Sequence, residues 1–191
     1  MRNRFSFLAA AFVCASLSAT AFAADEGFGG NVGLVIGQKT FHKNDYNELT
    51  DQPGIQIQTS WGMKSIPAML AFDIGYNTGS KTISGTKATA TETEIALGVR
   101  APFAIANVPV VPYVGLGVEY GMGDIKFGGT KFSASGLGIW GDAGARYMLG
   151  QLGLGIDLRY DGCPVKGKSQ GFTFKSDVGG FMPGIAISYS F

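Results

Sequence analysis

Leu152 to Asp161 reads LGLGIDLRYD, and its alternation is strict. Leu152, Leu154, Ile156, Leu158 and Tyr160 carry the apolar bulk, while Gly153, Gly155, Asp157, Arg159 and Asp161 lie between them. A period of two puts the two sets on opposite faces of a strand. Just upstream, Leu149-Gly150-Gln151-Leu152 has the form of a two-residue type II′ hairpin with glycine first. That turn sets Asp142 opposite Arg159 and puts Arg146 diagonal to Asp157, within reach for long side chains.

The same pattern recurs outward from this hairpin. Ile95, Leu97, Val99, Ala101 and Phe103 alternate with Glu94, Ala96, Gly98 and Arg100; Ile185, Ile187, Tyr189 and Phe191 alternate with Gly184, Ala186, Ser188 and Ser190. Eight such segments are predicted, over 28–38, 54–62, 67–77, 91–103, 110–122, 133–149, 152–161 and 177–191. Most are near the ~9–11 residues that a tilted strand needs to cross a bilayer. Connections at 63–66, 104–108 and 150–151 are short; those near 39–53, 78–90, 123–132 and 162–176 are longer and more polar. Short turns on one side and long loops on the other predict an all-β fold, an eight-stranded antiparallel up-and-down transmembrane β-barrel.

Composition narrows the alternatives. The 191 residues include 15 Lys+Arg and 14 Asp+Glu, for a net charge of +1, which excludes a basic nucleic-acid binder. Charged residues are only 15%, and 30 residues are glycine, too apolar for disorder and too glycine-rich for a helical bundle. The first residues, MRNRFSFLAAAFVCASLSATAFAA, combine Arg2 and Arg4, a short apolar run and an Ala21-Phe22-Ala23 cleavage signal. They read as a cleaved signal peptide over 1–23, leaving a barrel domain over 24–191. Val13 before Cys14 does not suit a lipoprotein signal. Cleavage leaves Cys163 as the one cysteine, so no internal disulfide is expected.

A soluble lipocalin-like barrel would also show eight alternating strands. Its polar face would meet water and be dense in Lys, Glu and Thr, whereas here that face is mostly Gly, Ala and Ser, suited to a narrow lumen. The bulky face therefore points to lipid. On it, Trp61, Phe103, Tyr147 and Phe191 fall at the ends of even strands, and Tyr76, Tyr120 and Tyr160 at the ends of odd ones. In an up-and-down barrel these make two aromatic girdles at opposite membrane surfaces. The other face carries Asp73, Glu94, Arg100, Glu119, Asp142, Arg146, Asp157 and Arg159, expected to form an ion-paired cluster filling the lumen. Pro183, inside the last strand, predicts a bulge or local irregularity there.

Two further stretches carry a family resemblance. Val111-Pro112-Tyr113-Val114-Gly115-Leu116-Gly117-Val118-Glu119-Tyr120 is similar to a strand common in small outer-membrane barrels. The terminal Ile187-Ser188-Tyr189-Ser190-Phe191 resembles their barrel-insertion signal, carried by Ile187, Tyr189 and Phe191. On these matches and on architecture, the chain resembles the OmpA/OmpX-type barrels, including the opacity-like surface proteins. The resemblance implies residence in the bacterial outer membrane among lipid and lipopolysaccharide, recognition by the barrel-assembly machinery, and loops available to an extracellular ligand. The chain ends on its eighth strand, so the cell-wall-binding domain of larger members is not expected.

Chemistry is sparse. Gly136-Leu137-Gly138-Ile139-Trp140-Gly141 matches G-x-G-x-x-G but lies within a strand, not at the strand–turn–helix a dinucleotide requires. His42 is the only histidine, so a multi-histidine metal site is excluded. No cofactor is expected. His42 lies near Asp45, Glu48 and Asp51 in the first long loop, and Ser80 and Ser84 in the second, without the neighbours of a lipid A-modifying enzyme. Lys166, Lys168 and Lys175, with Phe172 and Phe174, are placed to meet lipopolysaccharide phosphate or simply to be solvated. The leading expectation is a non-catalytic, surface-displayed barrel. A low-conductance pore and a lipid-modifying enzyme are the rivals.

Overall fold

The computed structural model describes residues 28–41, 49–63, 66–169 and 172–191. The targeting segment with Cys14, and His42, Asp45 and Glu48, lie outside the described residues. Ten strand segments follow one another: β1 (Phe28–Phe41), β2 (Asp51–Met63), β3 (Met69–Ile83), β4 (Thr86–Pro102), β5 (Val110–Phe127), β6 (Thr130–Leu149), β7 (Leu152–Gly162), β8 (Pro164–Ser169), β9 (Phe172–Asp177) and β10 (Gly180–Ser190). Eight of them, β1 to β7 and β10, pair antiparallel with their neighbours, and β10 returns to β1, closing the barrel. Leu149 faces Leu152 across the Gly150 turn, whose φ of 66° is reached without strain because glycine has no Cβ.

Three stretches expected as loops are strands. β3 and β4 run on to a two-residue turn at Ser84-Gly85, and β5 and β6 to one at Gly128-Gly129, all four residues with positive φ, as a type I′ turn demands. The third, 162–176, holds β8 and β9. The Ile139–Gly162 pairing of β6 with β7 continues in unchanged register as Ser135–Lys166 with β8. Gly180–Asp161 likewise continues as Pro164–Asp177. The Val178 N–H donates to the Cys163 carbonyl at 3.0 Å across the join. β7–β8 and β9–β10 are thus two long strands, each briefly interrupted.

Polarity inverts along these strands. On β4 the outward side chains are Lys87, Thr89, Thr91 and Thr93, then Ile95, Leu97 and Val99. Its inward ones are Ala88 and Ala90, then Glu92, Glu94 and, deeper, Arg100. From the short turns out to the level of Tyr120 and Leu137 the exterior is apolar and the interior ionic: Leu137 is 72% exposed and Ile139 68%, while Asp73 and Asp157 are fully buried. An apolar band of that extent suits hydrocarbon, because water-soluble surfaces rarely carry one. Beyond the band the interior becomes an apolar core of Phe41, Leu49, Ala88, Ala90, Cys163, Val165 and Val178. One chain therefore has two stacked interiors, each matched to a different surrounding.

No bulge forms at Pro183. It keeps its place opposite Leu158, and the β1–β10 ladder pairs Gly37 with Gly184 and Thr40 with Phe181 in one register. The irregularity is a gap in pairing at Gln38 and Lys39, where Pro183 has no N–H to donate.

Candidate functional site

Among the described residues, the lumen holds a dense network of buried polar and charged side chains. Glycine makes room for it. Trp140 lies inward from β6 with its indole against Gly98, Gly115 and Gly117, where an added Cβ would come within 2.7 to 3.1 Å of the ring. Its Nε1–H donates to the carbonyls of Leu97 at 3.3 Å and Val118 at 3.1 Å. Arg159 lies 4.7 Å and Arg100 5.6 Å from that ring's centroid, so one aromatic ring supports two cations.

Around Trp140 the charges meet across the lumen. Arg159 reaches Asp73 at 3.1 Å, Glu94 at 3.2 Å and Glu119 at 3.2 Å. Arg100 pairs with Asp73 at 2.9 Å and with Asp142. Asp142 does face Arg159 in register, yet its ion pair is with Arg100. Nor do Arg146 and Asp157 pair directly. Gln58 bridges them, accepting from Arg146 at 2.9 Å and donating to Asp157 at 3.1 Å. Asp157 also accepts from the Tyr113 hydroxyl, and Arg146 lies 4.6 Å over the Tyr113 ring. All eight charged residues singled out from the sequence are buried, at most 6% exposed. Residues directly opposite in register are not their partners: Arg100 pairs diagonally on adjacent β3 and with β6, and Arg159 reaches across the narrow lumen to β3, β4 and β5.

Several members of the network were not picked out from the sequence. Lys39 lies at the centre of three carboxylates, Glu92 at 2.7 Å, Asp161 at 2.7 Å and Glu94 at 3.3 Å. This acidic trio has the spacing of a cation site, and the Lys39 ammonium occupies it. Asn77 donates to Glu92 at 2.7 Å and Gln56 to Glu94 at 3.0 Å. The readable signal was parity: Glu92 lies two residues before Glu94, and Asp161 two after Arg159, on the same inward face.

The two ends of the lumen differ. Toward the short turns a cavity of about 250 Å³ opens among Asn31, Ser60, Met69 and Met148 and ends at Arg100, Tyr113 and Arg146. Toward the long hairpins the apolar core closes over the network. Cys163 belongs to that core, beyond the end of β7; burial pushes its thiol up to about 12, which keeps it un-ionised at neutral pH. The literal G-x-G-x-x-G stretch is part of β6, paired throughout with β5 and from Ile139 onward also with β7.

The seven aromatic residues expected to form girdles stand on the outer surface. Trp61, Phe103, Tyr147 and Phe191 lie by the short turns, and Tyr76, Tyr120 and Tyr160 where the exterior turns polar. Phe181, opposite Tyr160, stands with the second set. Of the three residues expected from the resemblance to carry an insertion signal, Ile187 and Tyr189 point outward and exposed, and Phe191 rests half-buried against Gly30.

Comparison with known proteins agrees with this architecture. Residues 6–185 match the family model described as outer membrane protein beta-barrel domain. No curated protein sequence matches the chain. Neisserial surface protein A shares the fold with a TM-score of 0.62 at 16% identity, over 87% of this chain and 98% of its own. The attachment invasion locus protein Ail of Yersinia pestis follows with 0.55 at 14%, over 87% and 100%. A major outer membrane protein from Thermus thermophilus also gives 0.55 at 14%, over 86% and 99%.

Proposed function

Because the chain belongs to the outer-membrane β-barrel domain family and resides in the bacterial outer membrane, we propose that it is a non-catalytic, surface-displayed barrel, closed to passage, whose long hairpins make its external contacts. One observation carries this reading: the lumen is obstructed twice. Arg100 and Arg159 span it with their carboxylates on a floor of Trp140, and the Phe41–Val165–Val178 core covers the outer end. Ion flow would require separating buried ion pairs and wetting an apolar plug, and both are costly.

In this reading residues 1–23 are removed on export and 24–191 form the barrel. The last strand, with Ile187, Tyr189 and Phe191 outward, is what the barrel-assembly machinery reads. The competing pore is favoured by the 250 Å³ cavity, which gives solutes an entrance from the short-turn side. Planar-bilayer recording separates the two. The purified barrel is expected to insert and stay electrically silent at all voltages, and discrete conductance steps would instead make it a pore.

A further inference from the structure

Beyond the tyrosine ring, the outward face of the extended sheet sets lysines directly opposite one another. Lys166 of β8 faces Lys175 of β9, and Lys126 of β5 faces Lys131 of β6. Like charges across a ladder are destabilising, so folding gives no reason for either pair. Lys131 is compensated by Asp124 at 3.0 Å. Lys166 and Lys175 have no ion pair among the described residues.

Their depth follows from the register. Lys166 lies opposite Ser135, which faces Met122, the next outward residue after Tyr120. The pair thus registers one outward position beyond Tyr120, and along its own strands three outward positions beyond Tyr160 and Phe181, on the polar side of the ring. Here a groove of about 610 Å³ runs past Tyr120, Met122, Ser133 and Lys166. A second of about 470 Å³ adjoins it at Ser135 and Lys166, reaching Leu137 and Lys175. The Tyr120 hydroxyl donates to Ser135 Oγ at 2.9 Å, joining the ring to this surface. Below it the exposed Leu137 and Ile139 begin the lipid-facing wall. Two uncompensated ammonium groups and several hydroxyls therefore stand directly above a wall suited to acyl chains.

We propose that this groove is a binding site for a phosphate on the glycolipid headgroup of the outer leaflet, the phosphorylated glucosamine of lipopolysaccharide, with Lys166 and Lys175 as its ligands. Charge complementarity and depth together select the occupant, since an ammonium pair at the headgroup level meets phosphate first. The proposal rests on the outer-membrane placement and is independent of whether the lumen conducts.

The test uses the whole barrel in detergent micelles, with retained lipid A measured by native mass spectrometry. The unaltered protein is expected to retain bisphosphorylated lipid A and to release a phosphatase-treated sample. Lys166→Gln with Lys175→Gln is expected to weaken retention about tenfold or more. Lys126→Gln with Lys131→Gln, two outward positions farther out, leaves it unchanged. Equal retention of the dephosphorylated lipid, or equal loss in both double variants, overturns the proposal. So does a Lys166/Lys175 variant that loses only a soluble sulfated glycan. Heat-modifiable migration checks folding, and should a variant fail it, the dephosphorylation arm decides with the unaltered protein.

Discussion

Replacing Arg159 with methionine is expected to cost about 3–5 kcal/mol of stability, because it leaves buried carboxylates without their cation. The three partners do not suffer equally. Asp73 keeps Arg100 and Glu94 keeps Lys39, but Glu119 has no other ion pair among the described residues, and its Oε1 has no partner. The burden therefore falls on Glu119. Methionine keeps much of the stem's volume over Trp140, so lost charge and not lost bulk dominates. Urea unfolding in detergent, read from heat-modifiable migration, should show a clearly lowered midpoint for Arg159→Met. Adding Glu119→Gln should recover about 1 kcal/mol or more, because removing the stranded charge relieves a coupled site. An unchanged midpoint for the single variant would mean that water inside the lumen already solvates these groups.

The second large effect comes from three residues back on the same strand, on the opposite face. Ile156 is 57% exposed at mid-height of the apolar band. Arginine there puts a cation into hydrocarbon, at about 2–4 kcal/mol. The same substitution at Thr91, outward on β4 beyond the tyrosine ring, is expected to cost no more than about 1 kcal/mol. Unfolding in phospholipid vesicles distinguishes the two sites. A similar small cost at both would mean that the band is not in contact with acyl chains. Taken together, the two experiments remove a cation from the inside and add one to the outside, and both are expected to destabilise.

The membrane-spanning part of the fold was legible in sequence because one rule governs all of it. In β7 every outward residue from Leu152 to Tyr160 is apolar, and Gly150-Gln151 fixes the register of β6 against β7. The outer extensions were not legible because that rule reverses. In Lys87-Ala88-Thr89-Ala90-Thr91 the apolar residues are small and inward, so the stretch reads as a polar loop although it alternates as strictly as any other. Ser84-Gly85 and Gly128-Gly129 are hairpin signals whose flanks lacked the expected bulk. In the lumen the residue types and their common face were readable; the partners were not. Arg159 on β7 meets Asp73 on β3, and that contact depends on closure and curvature, which no pairwise register encodes.

The register that carries unchanged across the breaks in β7–β8 and β9–β10 also constrains how this surface could diversify. Inserting a single residue between Gly162 and Val165 would turn every later side chain around, sending Val165 into solvent and Lys166 into the greasy cap. Two residues would merely lengthen the ribbon and leave each group facing as before. Drift in the reach of these exposed arms should accordingly proceed in even steps, with odd changes confined to the tips, where no interior has to be matched.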